Sequence, residues 1–235
     1  MTRQELVNFW QQLPDDECIH PDDEWVLDGD HHLMNDHVPT PWSGPILNAG
    51  IFLLYMNAGV GQDENGNVDP DWEQAQHVHE EALRENLNGV TENYMFIEDY
   101  RGHDGGANWL TSRLRGVFSD DAAIQEENII NHVAVLELVA YRSFRFTDGY
   151  VVNALASSRA VLNTVHDELL PRALDGEIFV ACMRGAKKWG ILPRVGNDAE
   201  PPTNIAIGSN QGGYATINTE VGQRIRNFAE EHNII

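Results

Sequence analysis

The chain reads as an α/β protein: a mostly parallel sheet covered by helices on both faces. Three observations predict this. Apolar runs at 46–56, 131–139 and 177–183 carry little charge and end at turn residues, as strands buried on both sides do. Stretches of helical period lie between and after them, at 72–87, 153–173 and 219–232. Strands that alternate with helices pair in parallel, because each helix carries the chain back across the sheet.

Taken in order, Thr2 and Glu5 form a capping box ahead of an apolar helical face of Leu6, Phe9, Trp10 and Leu13, which Pro14 ends. Residues 15–44 have no sustained period, are rich in Asp, His and Pro, and hold Trp25 and Trp42. They read as an ordered wrap, since loop tryptophans pack onto something. Residues 1–45 are thus an N-terminal helix and wrap, and 46–235 a single α/β domain. The first core strand is 46–56. A polar loop follows at 62–71, with Asn65-Gly66 as its turn signal. Residues 72–87 are helical, 94–97 a short strand or an extended entry to a site loop, and 100–107 a loop with Gly102, Gly105 and Gly106. Trp109, Leu110, Leu114 and Phe118 mark the next helix. The second strand is 131–139, followed by one long helix over 153–173. The third strand is 177–183, with a short helix through Trp189. A loop at 193–202 leads to a short fourth strand at 204–207, and the chain closes on a helix at 219–232.

Composition narrows the function. With 235 residues, 42% of them hydrophobic, the chain can bury a sizeable core. Its longest apolar run, at 51–56, is far too short to span a bilayer, and residues 1–5 lack the features of a signal peptide, so no membrane partner is expected. Cys18 and Cys182 lie far apart without indicating a disulfide, which fits a reducing cytoplasm. The formal net charge is −22, and such a surface repels nucleic-acid phosphates unless positive charge is gathered locally. It reflects either a salt-adapted host or an acidic partner surface.

In a parallel sheet, ligands bind outside the carboxyl ends of the strands. The loops 57–61, 140–145, 184–188 and 208–213 converge there. Arg142, Arg145, Arg184, Lys187 and Lys188 fall in the middle two, and the two lysines are the whole chain's supply. An acidic protein that collects its scarce cations at one sheet edge holds an anion there, unless neighbouring carboxylates pair with them. Gly59 and Gly61 allow a close backbone approach or positive φ. Tyr141 and Ser143, at a strand mouth, are candidates for ligand contacts. Glu137 faces the opposite way from Leu136 and Leu138. It is either paired with an arginine for structural reasons, which is the favoured reading, or held in the site with a perturbed pKa. The histidines, including His77, His79 and His103, match no zinc spacing, and no metal or other cofactor is expected.

The order of short motifs carries a resemblance. Pro41-x-x-Gly44, a strand into Asn57-Ala58-Gly59, Glu137-Leu138-Val139-Ala140-Tyr141-Arg142-Ser143, and Val180-Ala181-Cys182-Met183-Arg184-Gly185 ahead of Trp189 follow one another. Together they resemble an uncharacterised bacterial branch of the uracil-DNA glycosylase-like superfamily, from about Pro41 to the last helix. The resemblance implies a three-layer α/β/α fold around a four-stranded parallel sheet. The strands at 131–139 and 177–183 would flank the one at 46–56, with 204–207 at the edge. It implies a base flipped into a pocket and hydrolysis of its N-glycosidic bond; beside the cation cluster, the expected ligand is a nucleobase, nucleotide or similar small anionic molecule. Asn57 would position water, Asn210 would donate to a base carbonyl, and Ser209 would line the last loop. The chain departs from the family at Tyr55, where a Gly is usual, and at Ala58, where a Pro is usual. Its final loop, Gly208-Ser209-Asn210-Gln211-Gly212-Gly213, lacks the usual Pro-Ser turn. These departures and the acidic surface support an alternative, a non-catalytic binding or interaction module on the same fold.

Overall fold

The computed structural model describes residues 1–29, 31–78, 80–89, 93–97, 106–147, 149–191, 204–208 and 213–235. Five strands form one mixed sheet: β1 (Trp42–Ser43), β2 (Ile51–Gly59), β3 (Val133–Ser143), β4 (Phe179–Cys182) and β5 (Ile205–Ile207), in the spatial order β1-β3-β2-β4-β5. The pairings β3–β2, β2–β4 and β4–β5 are parallel, and β1 joins β3 antiparallel. The expected flanking of the first core strand by the second and third, with 204–207 beyond, is found. The two-residue β1 was not expected, because two residues show no period.

Strand alternation divides the core in two. Phe52, Leu54, Leu136, Leu138, Val180 and Cys182 point to one face, where they pack with Leu6, Val7 and Trp10 of α1 (Arg3–Trp10). Leu83 and Leu87 of α4 (Glu80–Leu87) and Val161 of α7 (Ala156–Thr164) join them. Ile51, Leu53, Tyr55, Val133, Val135 and Phe179 point to the other face. There they meet Leu110 of α5 (Gly106–Arg113), Ile129 of α6 (Ala122–His132) and Ile225 and Phe228 of α9 (Glu220–Glu231). Each such side chain contributes roughly 1.5–3 kcal/mol when fully buried. Among the described residues, no helix is long and apolar enough to cross a membrane.

The N-terminal segment is part of this sheet's architecture. Thr2 and Glu5 make the expected reciprocal cap on α1. Residues 34–43 run along the outer edge of β3: the Met34, Thr40 and Glu137 amides donate to the Arg142, Ala140 and Pro41 carbonyls at 2.8, 2.9 and 2.9 Å. Within the wrap, α2 (Glu24–Leu27) follows a 3-10 turn at Pro21–Asp23.

Several elements differ from the sequence reading. Residues 45–49 turn, and β2 runs on through Asn57 to Gly59, so the first predicted loop is largely strand. β3 continues to Ser143, and α6, a helix of weak apolar pattern with Ile124 exposed, precedes it. Tyr94–Phe96 is a 3-10 turn capped by Asn93, not a strand. α3 (Pro70–Val78) and α4 occupy the predicted 72–87 helix. The long helix at 153–173 resolves into α7, a π-helical stretch at Val165–Leu169, and α8 (Leu170–Leu174). Pro171 lacks an N–H and crowds the carbonyl four residues back, and the wider π turns just before it relieve that clash. Residues 186–190 form turns instead of a helix. The 193–202 loop and nearly all of 100–107 lie outside the described residues.

Candidate functional site

A cavity of about 690 Å³ opens at the carboxyl ends of β2, β3 and β4. Its walls come from Tyr55 to Gly61 of β2 and its continuation, from Glu137, Arg142, Ser143 and the following residues of β3, and from Arg184 after β4. Trp72 of α3, Tyr94 and Met95, and Trp109 and Arg113 of α5 close the sides.

A local irregularity aims these side chains. Asn57 pairs with Val139, but Gly59 pairs with Ser143, so β3 spends extra residues between the two points. Val139, Ala140 and Tyr141 all join the core on one face, and Arg142 lines the cavity. The Arg142 side chain is buried, with Nη1 donating to the Gly59 carbonyl at 3.0 Å and its guanidinium 5.4 Å from the Trp72 ring centroid. Arg113 lies between the Trp109 and Tyr214 rings, 4.4 and 4.6 Å from their centroids. Arg145 and Arg184 are exposed and line the cavity. Four arginines therefore face one cavity of a strongly acidic protein.

The carboxyl of Glu137 lies among them. Glu137 is 7% exposed, stands opposite Tyr55 in the register, and its Oε2 has no hydrogen-bond partner. Burial raises its pKa, the charges of Arg142 and Arg184 oppose this, and burial prevails, leaving the carboxyl at about 8. The favoured expectation of structural pairing thus gives way to the alternative, a perturbed carboxyl in the cavity wall. Burial also pushes the Tyr55 phenol upward, and its hydroxyl donates to the Gly213 carbonyl at 2.6 Å.

Asn57 lines the cavity and is held firmly. Its Nδ2 donates to Ser143 Oγ at 2.7 Å, the Ala58 carbonyl at 3.2 Å and the Tyr141 carbonyl at 3.5 Å. Two carbonyl partners require a donor, which fixes the amide orientation and leaves Oδ1 as a hydrogen-bond acceptor.

Of the residues expected at the site, Asn57, Gly59, Gly61, Arg142, Ser143, Arg145 and Arg184 come together. Tyr141 does not: it is buried in the opposite core, its hydroxyl donating to Asp23 Oδ2 at 2.9 Å and accepting from the His20 amide at 3.2 Å. Lys187 and Lys188 are exposed outside the cavity lining, and Lys188 Nζ donates to the Gly149 carbonyl at 3.1 Å. Gly185, at φ 70°, turns the chain away just before them. Ser209 and Asn210 lie outside the described residues. Gly59 and Gly61 do not adopt positive φ. Gly61 has a different reason to be glycine, since a Cβ there would lie 2.5 Å from Trp72.

Sequence reasoning missed Trp72, Trp109 and Arg113, and named the segment of Tyr94 only as a short strand or an extended entry to a site loop. They come from helices and turns between the strands, where no strand-end pattern marks them. Among the described residues, no cluster of three or more His, Cys, Asp or Glu could hold a metal ion. No protein-family model matches the chain, and no curated protein or solved structure matches it significantly.

Proposed function

We propose that the cavity binds a small anionic ligand bearing a nucleobase, a nucleotide-class molecule, and hydrolyses its N-glycosidic bond. The observation that carries this reading is one cavity at the carboxyl ends of the parallel strands that combines aromatic walls with four arginines. Aromatic faces suit a planar heterocycle and guanidinium groups suit a phosphate. Its volume is within the range of small-molecule sites. A net charge of −22 disfavours a nucleic-acid duplex as partner. The strand order β3-β2-β4-β5 supports membership of the uracil-DNA glycosylase-like superfamily, with its three-layer α/β/α arrangement. Asn57 would orient the attacking water through Oδ1.

The test is release of free base from nucleoside 5′-monophosphates, nucleosides and oligonucleotides containing uracil or hypoxanthine, with binding measured by titration calorimetry. Release from at least one probe is expected, with loss in Asn57→Ala. A protein that neither binds nor cleaves any of them sinks the reading. The rival is a non-catalytic binding module, and the grip of two backbone carbonyls on Asn57 favours it, because that amide then serves the sheet. Binding without release, unchanged in Asn57→Ala, selects the rival.

A further inference from the structure

Glu137 is the sole carboxylate among the described residues that line the cavity. A carboxyl on a buried strand is ordinarily paired or fully hydrogen-bonded, because an unsatisfied one costs stability. Here Oε2 has no partner. The groups that face Glu137 are known: Arg142 on its own strand, Arg184 after β4, and Tyr55 on β2, whose hydroxyl is already committed to the Gly213 carbonyl. The two arginines favour its charge from a distance, but none of the three hydrogen-bonds Oε2. The cavity is also graded. Tyr55, Trp72, Tyr94, Glu137, Arg142 and Ser143 are among its buried residues, whereas Arg145 and Arg184 are exposed. On the proposed function, an anionic group would meet the exposed arginines and an uncharged ring would reach the carboxyl.

We infer, on the nucleotide-class reading above, that Glu137 is the general acid of this cavity and hands its carboxyl proton to the departing base of a nucleoside 5′-monophosphate. In that step the C1′–N bond breaks and its electron pair goes to the base. The proton from Glu137 neutralises the charge that develops there. A water oxygen bonds to C1′, and the proton it sheds returns to the Glu137 carboxylate. Substrate and water become free base and sugar phosphate, with no other reactant. The raised pKa of Glu137 supports this assignment, because the carboxyl then largely retains its proton near neutral pH and has it to give to a developing base.

The experiment compares wild type with Glu137→Gln and Glu137→Asp, using adenosine, inosine and uridine 5′-monophosphates as probes. Calorimetry measures binding, base release is followed across pH, and infrared difference spectra report the carboxyl's protonation. Glu137→Gln is expected to bind the cleaved probe much as wild type does, while release falls roughly 10²–10⁴-fold. The loss of wild-type activity above about pH 8 should disappear with it, and Glu137→Asp should restore part of the rate. A protonated-carboxyl band near neutral pH, absent from Glu137→Gln, is the expected spectrum. If wild type cleaves a probe and Glu137→Gln cleaves it equally with the same pH limb, the acid assignment is wrong and the nucleotide reading stands. An ionised Glu137 at pH 7 overturns the assignment as well. If wild type neither binds nor cleaves the probes, the nucleotide reading fails first.

Discussion

Asp23 and Glu137 are both buried carboxylates, and they have opposite surroundings. Asp23 is fully buried in the N-terminal wrap. Its Oδ2 accepts the Tyr141 hydroxyl and its Oδ1 accepts the Ser157 amide at 3.1 Å. It ties the wrap to β3 and to α7. Glu137 sits on the same strand as Tyr141, faces the other way, and leaves Oε2 unsatisfied beside a cavity. A buried carboxyl with both oxygens hydrogen-bonded belongs to the structure, whereas one left open in a cavity wall is, on the function we propose, the one that serves a ligand.

Substitutions can break this contrast. Asp23→Ala should be the most damaging, since it strands the Tyr141 hydroxyl and the Ser157 amide in the core; a loss of roughly 2–5 kcal/mol is expected in chemical denaturation. Glu137→Gln should do the reverse at alkaline pH. The folded protein holds the Glu137 proton up to about pH 8, whereas an unfolded glutamate releases it near its ordinary value of about 4.3. The stability that this proton provides is complete below the unfolded value and is lost as pH rises toward the folded one. Wild type should therefore lose stability across that window. Glu137→Gln should not, and should exceed wild type at pH 8 by a few kcal/mol, on the order of 3. Thermal melts from pH 4.5 to 8.5 decide this, and a wild-type stability that rises with pH while the variant's stays flat would contradict the raised pKa.

Glycines sharpen the comparison at smaller scale. Gly61→Ala should cost about 1–3 kcal/mol and weaken ligand binding, because it displaces Trp72 from beneath Arg142. Gly59→Ala, which meets nothing within 4 Å, should be near neutral. Tyr141→Phe should cost about 1 kcal/mol, through the lost donor to Asp23, and leave ligand affinity unchanged. Lys187→Ala and Lys188→Ala should stay within about 0.5 kcal/mol of wild type and bind ligand normally, since both residues are exposed outside the cavity lining and Lys188 makes only an exposed bond to the Gly149 carbonyl.

The strands were legible because apolar runs such as Ile51 to Leu54 and Val133 to Leu136 have no other stable home. β1 was not, since its two residues gain their place only by pairing with β3. Arg142 and Arg184 could be read from scarce positive charge at strand ends. Tyr141 could not be placed the same way, because its partner, Asp23, is remote in sequence and the β3 irregularity turns Tyr141 toward it. Glu137 was visible as the one charge in Val-Ala-Val-Leu-Glu-Leu-Val. What separated its two readings was whether a counter-group reached it, which depends on three-dimensional packing.

The backbone seam between residues 34–43 and β3 has a consequence for biosynthesis. A ribosome makes the N-terminal strip long before β3, so the longest strand of the sheet emerges with its outer partner already waiting. Each amide and carbonyl covered by that strip is denied to a stray neighbouring chain. A circular permutant that moves the strip to the end of translation would reverse the order. β3 would then sit bare-edged while the rest of the sheet assembled, and aggregation of nascent chains should rise even though the finished contacts are the same.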